Sequence, residues 1–234
     1  MDETGLSFGV AAEAYDRGRP EWPEELLDPL PLGPEAEVLD LAAGTGKLTR
    51  LLARRFARVV AIEPDAALRA LIRVGEPRAG RAEAIPLGDG AVDAVFVAEA
   101  FHWFDQEAAA RELARVLRPG GILALLWTDW DRDQHLLPDG IHPPSRGTKQ
   151  PLFQTGAWRR AFDRAPFGPF EELHVPQERE VPRDELLDYF ASISNVTSLP
   201  EVERASATAR IEAFLDRPAY RRRWTAVMYW ARRT

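Results

Sequence analysis

The stretch Val38-Leu39-Asp40-Leu41-Ala42-Ala43-Gly44-Thr45-Gly46-Lys47 decides the fold of this 234-residue chain. It begins as a short apolar β run, turns on closely spaced small residues, and opens a helix with one apolar face. Gly44 and Gly46 allow positive φ angles and a close approach of backbone to ligand, which a Cβ would block. The pattern is typical of a loop that binds a nucleotide-type cofactor.

The acid at the end of this first strand separates one cofactor from another. A carboxylate at Asp40 would repel a pyrophosphate but attract a cationic sulfonium and an ammonium group. A dinucleotide fingerprint read from Gly44 needs a glycine where Thr49 stands, and a Walker phosphate loop needs a glycine and a hydroxyl residue where Leu41 and Leu48 stand. The residues therefore favour S-adenosylmethionine over NAD, FAD or ATP.

After the loop, apolar strands and amphipathic helices alternate, which is typical of a parallel α/β sheet. Strands are predicted at residues 58–62, 91–97 and 122–127, and helices at 65–74 and 105–117. The strand at 122–127 is apolar without alternation, as a strand covered on both faces should be. Asp105 is a good N-cap for the second helix, and Arg118-Pro119-Gly120-Gly121 ends it.

The second half of the chain is less regular. Residues 128–155 lose periodicity and carry several prolines, which indicates an irregular, lid-like or disordered segment. Beyond it we predict a helix at 155–164, a strand at 170–177, helices at 183–190 and 200–215, and a terminal strand at 224–230 flanked by solvated arginines. We expect one domain over 1–234, with a cofactor-binding half (1–127), lid and substrate-cap elements (128–220) and the terminal strand (221–234).

Three separate regions of the chain place residues at the predicted carboxyl ends of strands. Open α/β sheets bind their ligands at these strand ends. The residues are Asp40, Glu63 and the segment from Ala98 to Trp103. Glu63 ends the strand after the glycine loop, where a carboxylate can take both hydroxyls of a ribose. Ribose is common to S-adenosylmethionine and NAD, so Glu63 does not choose between them.

Composition narrows the class of protein. The chain is 45% hydrophobic and has no cysteine, which excludes disulfides, thiolate nucleophiles and zinc-thiolate sites and favours a cytoplasmic protein. A net charge of -7 disfavours a nucleic-acid substrate. No apolar run approaches the length of a membrane span, and no metal site is predicted, because the acidic run from Asp129 to Asp133 lacks the glycine and the final acid of a calcium loop.

Several further motifs extend the pattern from residue 8 to residue 130, and together they resemble a class I S-adenosylmethionine-dependent methyltransferase of the type 11 small-molecule group. The resemblance implies a Rossmann-like, mostly parallel seven-stranded sheet with an antiparallel terminal strand and a helical and loop insertion as substrate cap. The motifs are Tyr15-Asp16-Arg17-Gly18-Arg19-Pro20, Val38 to Gly46, Ile62-Glu63-Pro64, Arg81-Ala82-Glu83-Ala84-Ile85-Pro86-Leu87, Phe101-His102-Trp103-Phe104 and Arg115-Val116-Leu117-Arg118-Pro119-Gly120-Gly121.

The resemblance also implies a cofactor site. Asp40 and the loop from Ala42 to Gly46, with Gly44 between, would hold the methionyl part of S-adenosylmethionine and of its product S-adenosylhomocysteine, and Glu63 the ribose. The remaining cofactor-binding candidates are Tyr15 and Arg19 for the methionyl carboxylate, Ala82 and Glu83 for the adenine edge, and Pro64 and Ala98 beside the strand ends. Tyr15 and Arg19 could instead pack across the sheet edge, and Glu83 could be an exposed turn acid. In this family the loop usually begins with a glycine, and this chain has Ala42 at that position. The methyl group of Ala42 would be tolerated if the φ angle of residue 42 is negative.

For the chemistry, His102 is the one histidine within this pattern. Its neutral imidazole suits proton removal from a hydroxyl or amine acceptor, although the surrounding motif favours a structural or pocket-shaping role over that of a general base. Trp103 and Trp130 are candidates for an aromatic acceptor pocket, whereas Trp127 is expected in the core. We expect methyl transfer to a small molecule, at O, N, C or a carboxylate. The alternatives are a cofactor-binding protein that acts through a partner without turnover and an NAD-dependent oxidoreductase.

Overall fold

A computed structural model describes residues 16, 18–130, 153–193, 196 and 199–234. Its centre is a seven-stranded sheet in the order β3-β2-β1-β4-β5-β7-β6. The neighbours from β3 to β5 pair in parallel, and β7 pairs antiparallel with both β5 and β6. The strands are β1 Glu37–Leu41, β2 Arg58–Ile62, β3 Glu76–Arg78, β4 Val92–Ala98, β5 Leu117–Trp130, β6 Glu171–Pro182 and β7 Ala219–Arg232.

Helices cover both faces of the sheet. The helices of the described residues are α1 Lys47–Arg55, α2 Ala66–Arg69, α3 Gln106–Val116, α4 Arg183–Ser192 and α5 Glu201–Phe214. Helices α4 and α5 pack against each other in a separate apolar cluster. The apolar face of α1 packs on one side of the sheet, together with the 3-10 helix Glu24–Leu27. Helix α3 packs on the other side, together with the 3-10 helix Ala157–Phe162. This Rossmann-like architecture, with an antiparallel strand at the end of the chain, confirms the fold class expected from the sequence.

Helix α3 begins and ends within about one residue of the bounds that the sequence predicts. Asp105 accepts a hydrogen bond from the backbone N–H of Ala108 over 3.1 Å, which caps the first turn. Ala109, Leu113 and Val116 lie on its buried face. The sequence pattern and the structure agree here because capping and periodicity are both local.

Several predicted elements differ in extent. Strand β5 spans Leu117–Trp130 rather than 122–127, and β6 continues to Pro182 rather than ending at 177. The helix expected at 65–74 is only Ala66–Arg69, and the chain then turns at Gly75, where φ is 77°, and enters the unpredicted edge strand β3. The helix expected at 155–164 consists of two 3-10 segments divided at Gly156, where φ is 67°. Strand β7 begins five residues earlier than 224 and lies between β5 and β6, inside the sheet.

Strand β7 also corrects the expectation of solvated arginines. Arg221 and Arg223 are exposed, but Arg222 is only 6% exposed and lies over the rings of Trp130 and Tyr189. The alternation of a strand turns every second side chain to the same face, and Arg222 shares its face with buried residues of β7. The charge run alone could not show this, since a run of like charges carries no information about which face is covered.

Candidate functional site

The candidate site lies at the carboxyl ends of β1 and β4. Strand β1 pairs with β2 on one side and β4 on the other, so the strand order reverses there, and open α/β sheets bind ligands at such a point. A cleft at this place is lined by Arg19, Asp40, the loop 42–45, Lys47, Ala98, Glu99 and Thr128, among others. The sheet thus brings together residues from four distant parts of the chain.

The glycine loop takes the geometry that its sequence predicts. Gly44 has φ of 58°, and a Cβ added there would meet no atom within 4 Å, so the space above it is open. Gly46 has φ of 85° and stands at the N-terminus of α1. Ala42 differs from the expectation, because its φ is 58° rather than negative. The alanine therefore carries backbone strain that the usual family glycine would not have.

Asp40 is 1% exposed and lies below this loop. The hydroxyl of Thr49, on α1, donates a hydrogen bond to Asp40 Oδ2 over 2.6 Å. Burial raises the pKa of Asp40 to about 7, with Glu63 adding to the rise and the Thr49 hydroxyl opposing it. A buried carboxyl in this state gains from any cation that enters the cleft, because the cation favours its ionised form.

Glu63 is 3% exposed at the end of β2. It accepts hydrogen bonds from the backbone N–H of Gly44 over 2.8 Å and of Asp65 over 2.9 Å. Burial raises its pKa, and these two donors oppose the rise. Glu63 therefore fixes the glycine loop to the next strand, and its assignment to a ribose stays a prediction.

Glu99 is a residue that sequence reasoning missed. It follows β4, lines the cleft, and has φ of 54°, which is unusual for any residue other than glycine. Its Oε1 accepts a hydrogen bond from the backbone N–H of Thr128 over 2.6 Å. Burial raises its pKa, against a lowering by the nearby charge of Arg19 and by Thr128. The signal in the sequence was an acid directly after a buried strand, at the same kind of position as Asp40 and Glu63.

Two cations also line the cleft. Arg19 was predicted there, and Lys47, at the first position of α1, was not. The Lys47 ammonium is 3.1 Å from the carboxylate of Glu21. Acids and bases therefore line one cleft, and this pairing matches a ligand that carries both an ammonium and a carboxylate group.

Other predicted cofactor residues lie outside the group that lines this cleft. Ala82 is buried in the core, and Glu83 accepts a hydrogen bond from the backbone N–H of Asp105 over 3.1 Å, at the N-terminus of α3. The carbonyl of Pro64 accepts a hydrogen bond from Arg69 over 3.1 Å. Tyr15 lies outside the described residues. The roles of these four residues toward a cofactor stay predictions.

His102 lies in the 3-10 helix Phe101–Trp103 that follows β4. Its Nδ1 is 3.4 Å from Nε1 of Trp127, which donates the contact, and its ring lies 4.9 Å from that of Trp103. Burial lowers the pKa of His102 to about 4. The imidazole is therefore neutral at physiological pH, as predicted, but its basicity is far below that of an ordinary histidine.

The tryptophans divide between two environments. Trp127 is 2% exposed, as a core residue should be, and stacks on Phe153 at 5.2 Å. Trp103 packs against the same core layer. Trp130, at the end of β5, instead contacts Tyr189 of α4 at 5.0 Å and Trp224 of β7 at 5.7 Å.

Membrane-spanning helices and metal-binding clusters are both absent from the described residues. No helix among them is long and apolar enough to cross a membrane. The same part of the chain contains no cluster of three or more His, Asp or Glu side chains arranged to hold a metal ion.

Solved structures of methyltransferases share the fold of this chain. A structure described as a type II methyltransferase, from Anaeromyxobacter dehalogenans, superposes with a TM-score of 0.59 at 26% identity and covers 92% of this chain and 97% of its own. The sheet order and the glycine loop at the strand-order reversal define a Rossmann-like methyltransferase fold.

Sequence relatives then identify the family. A family model described as a methyltransferase domain matches residues 39–125. An uncharacterised methyltransferase-like protein of Schizosaccharomyces pombe is 32% identical over 216 residues, covering 88% of this chain and 84% of that protein. An uncharacterised methyltransferase of Mycobacterium tuberculosis is 49% identical over 138 residues, or 57% of this chain, and the chain spans 56% of that relative's length. The chain belongs to the class I methyltransferase family, in its type 11 group.

Proposed function

We propose that this protein transfers the methyl group of S-adenosylmethionine to a small-molecule acceptor. The observation that carries the proposal is the buried Asp40 beneath a glycine loop, at the point where the strand order reverses. Two carboxyl groups in the cleft, Asp40 and Glu99, oppose the pyrophosphate of a dinucleotide. The same groups favour a ligand with a sulfonium and an ammonium.

The described residues fit this cofactor. The open space above Gly44 admits a ligand against the backbone, Asp40 supplies a negative charge for the ammonium, and Arg19 a positive charge for the methionyl carboxylate. Glu63 would hold the ribose. When bound, S-adenosylmethionine supplies a methyl group on a positively charged sulfur, which makes the carbon electrophilic without help from the protein.

The chain then has two tasks, to align the acceptor and to exclude water. A hydroxyl or amine acceptor also requires a group that takes its proton. We assign this role to Glu99 rather than His102, because Glu99 lines the cleft and burial raises its pKa, whereas burial lowers that of His102. His102 would shape the pocket wall through its contact with Trp127.

Calorimetry and a methyl-transfer assay test the proposal. The purified protein should bind S-adenosylmethionine and S-adenosylhomocysteine but not NAD, and should move a radiolabelled methyl group to at least one member of an acceptor panel. Tight S-adenosylhomocysteine binding without transfer across a broad panel would instead support the cofactor-binding protein that acts through a partner. Binding of NAD that is lost in Glu63→Gln would support the oxidoreductase.

A further inference from the structure

Outside the cofactor cleft, Arg222 of β7 is a buried cation that lies between aromatic rings. This guanidinium lies 3.9 Å from the ring centre of Trp130 and 4.1 Å from that of Tyr189. The residue is only 6% exposed, and its Nε is buried without a hydrogen-bond partner in the described part of the chain. Burial lowers the pKa of Arg222; the side chain of Tyr189 opposes this lowering, and the charges of Arg19 and Arg179 add to it.

Buried cations are normally paired with an acid, because an unpaired charge loses its hydration without compensation. The neighbouring Arg179 is exposed to solvent and pairs with Glu185 of α4. Arg222 forms no salt bridge with any carboxylate of the described residues. Aromatic faces stabilise the flat sides of the guanidinium, and the side chain of Tyr189 also favours its charged form, but among the described residues Nε has no hydrogen-bond partner.

The position of Arg222 connects it to the cofactor cleft. Trp130 pairs with Trp224 across β5 and β7, so Arg222 lies two residues past the last pair, beyond the carboxyl end of β5. Alternation along the strands turns Thr128, Trp130 and Arg222 to one face, and Thr128 lines the cleft. Arg19 lines the cleft as well and lies 5.0 Å from the ring of Tyr189. A single aromatic ring therefore contacts one cation of the cofactor cleft and the buried Arg222.

We propose that Arg222 anchors an oxyanion of the methyl acceptor, a carboxylate or a phosphate, beside the aromatic wall of Trp130 and Tyr189. The inference rests on the proposed function and specifies the acceptor class for that site. The edge of a guanidinium binds two oxygens of either anion side by side, while the rings contact an apolar or planar body. An acceptor of this class would direct its other end toward the cleft.

The test uses full-length protein saturated with S-adenosylhomocysteine, titrated in a calorimeter with a panel of aryl and alkyl carboxylates and phosphate monoesters. Each carboxylate is paired with the neutral amide of the same skeleton, such as benzoate with benzamide. We expect at least one anion to bind and its neutral counterpart to bind about tenfold more weakly or not at all. Carboxylates and phosphate monoesters are titrated in separate experiments, so the result also shows which of the two kinds of anion the protein binds.

The variants are Arg222→Gln, Arg222→Lys and, as a matched control from the same strand, Arg221→Gln. Arg221 is exposed and pairs with Glu178 on the opposite face. We expect Arg222→Gln to lose about tenfold or more in anion affinity and Arg221→Gln to behave as the wild type. Arg222→Lys keeps the charge without the planar fork, so it should show an intermediate loss and remain informative if Arg222→Gln fails to fold.

Equal binding of acids and amides, no binding by any anion, or unchanged anion affinity in both Arg222 variants would overturn this inference. Each of these outcomes leaves S-adenosylhomocysteine binding intact. Failure of the protein to bind S-adenosylhomocysteine at all would instead refute the proposed function, so the two failures are distinguishable.

Discussion

At the scale of single residues, Asp40 couples the stability of the empty protein to its affinity for the cofactor. An acid with a pKa near 7 in the folded state and about 4 in the unfolded chain makes folding less favourable as pH rises between these values. Asp40→Asn removes this dependence and keeps an acceptor for the Thr49 hydroxyl. We expect the free energy of unfolding of the variant, relative to wild type, to rise by ~1–4 kcal/mol from pH 4.5 to pH 8.

The same substitution should weaken S-adenosylmethionine binding by about tenfold or more at pH 8, because the charge that meets the ammonium is lost. Urea unfolding at the two pH values and calorimetry at pH 8 measure both effects. A variant that shows the pH dependence of the wild type and binds the cofactor equally well would contradict the role of Asp40.

Ala42 offers a second residue-scale test, because its φ of 58° strains a side chain that bears a Cβ. Ala42→Gly should leave the free energy of unfolding unchanged or raise it by up to about 1 kcal/mol. The reason is that relief of backbone strain offsets or exceeds the entropy that glycine adds to the unfolded chain. The control is Ala43→Gly, at a neighbouring position without positive φ, which should lose about 0.5–1 kcal/mol. Thermal unfolding of the two variants gives the comparison, and an equal loss in both would show that position 42 is unstrained.

Glu99 and His102 compete for the role of proton acceptor, and kinetics separate them. Glu99→Gln keeps the carbonyl that accepts from Thr128 but cannot take a proton, so we expect kcat for a hydroxyl or amine acceptor to fall about 100-fold. His102→Gln should change kcat by only a few-fold. The wild-type rate should rise with pH through one limb above the ordinary carboxyl range, because burial raises the pKa of Glu99. A limb that disappears in His102→Gln instead would return the role to the histidine.

At the scale of elements, the segment before β1 lies directly against α4. A Cβ on Gly18 would come within 2.2 Å of the backbone nitrogen of Tyr189, which cannot move aside as a flexible side chain could. Gly18→Ala should therefore displace this segment together with Arg19, which follows it. We expect about tenfold weaker S-adenosylhomocysteine binding by calorimetry, through the lost contact of Arg19 with the methionyl carboxylate.

The matched control for this contact is Gly88→Ala, where an added Cβ would meet no atom within 4 Å. This variant should bind S-adenosylhomocysteine as the wild type does. Equal affinities of the two alanine variants would show that the segment before β1 does not position the cofactor residues.

Some helices and strands are predictable from the sequence, and others are not. The glycine loop, β1, β2, β4 and the capped helix α3 were predicted because each depends on periodicity, caps and turns within a few residues. The edge strand β3, of three residues, carries too short a pattern to detect. Glu99 and Arg222 gain their environments from distant partners, Thr128 and Tyr189, and local spacing does not encode such contacts.

At the scale of the whole molecule, the last strand completes the interior of the sheet. The family match over residues 39–125 includes β2, β3 and β4 and most of β1 and β5, yet β5 has its second neighbour only when β7 has been added. Strand β6 pairs with β7 and is otherwise an edge, so it also depends on this strand.

A chain that ends at Pro218 should therefore fail to fold cooperatively, although it retains the whole matched region and every residue that lines the cofactor cleft. Without β7, the buried strand β5 would expose its backbone edge and apolar side chains such as Leu125 and Trp127, and exposed edges of this kind aggregate. We expect loss of near-ultraviolet circular dichroism and of S-adenosylhomocysteine binding in the truncated chain. The control is removal of residue 234 alone, which lies past β7 and should leave both signals intact. A truncated chain that unfolds cooperatively and binds the ligand would show that the cofactor half is an independent folding unit.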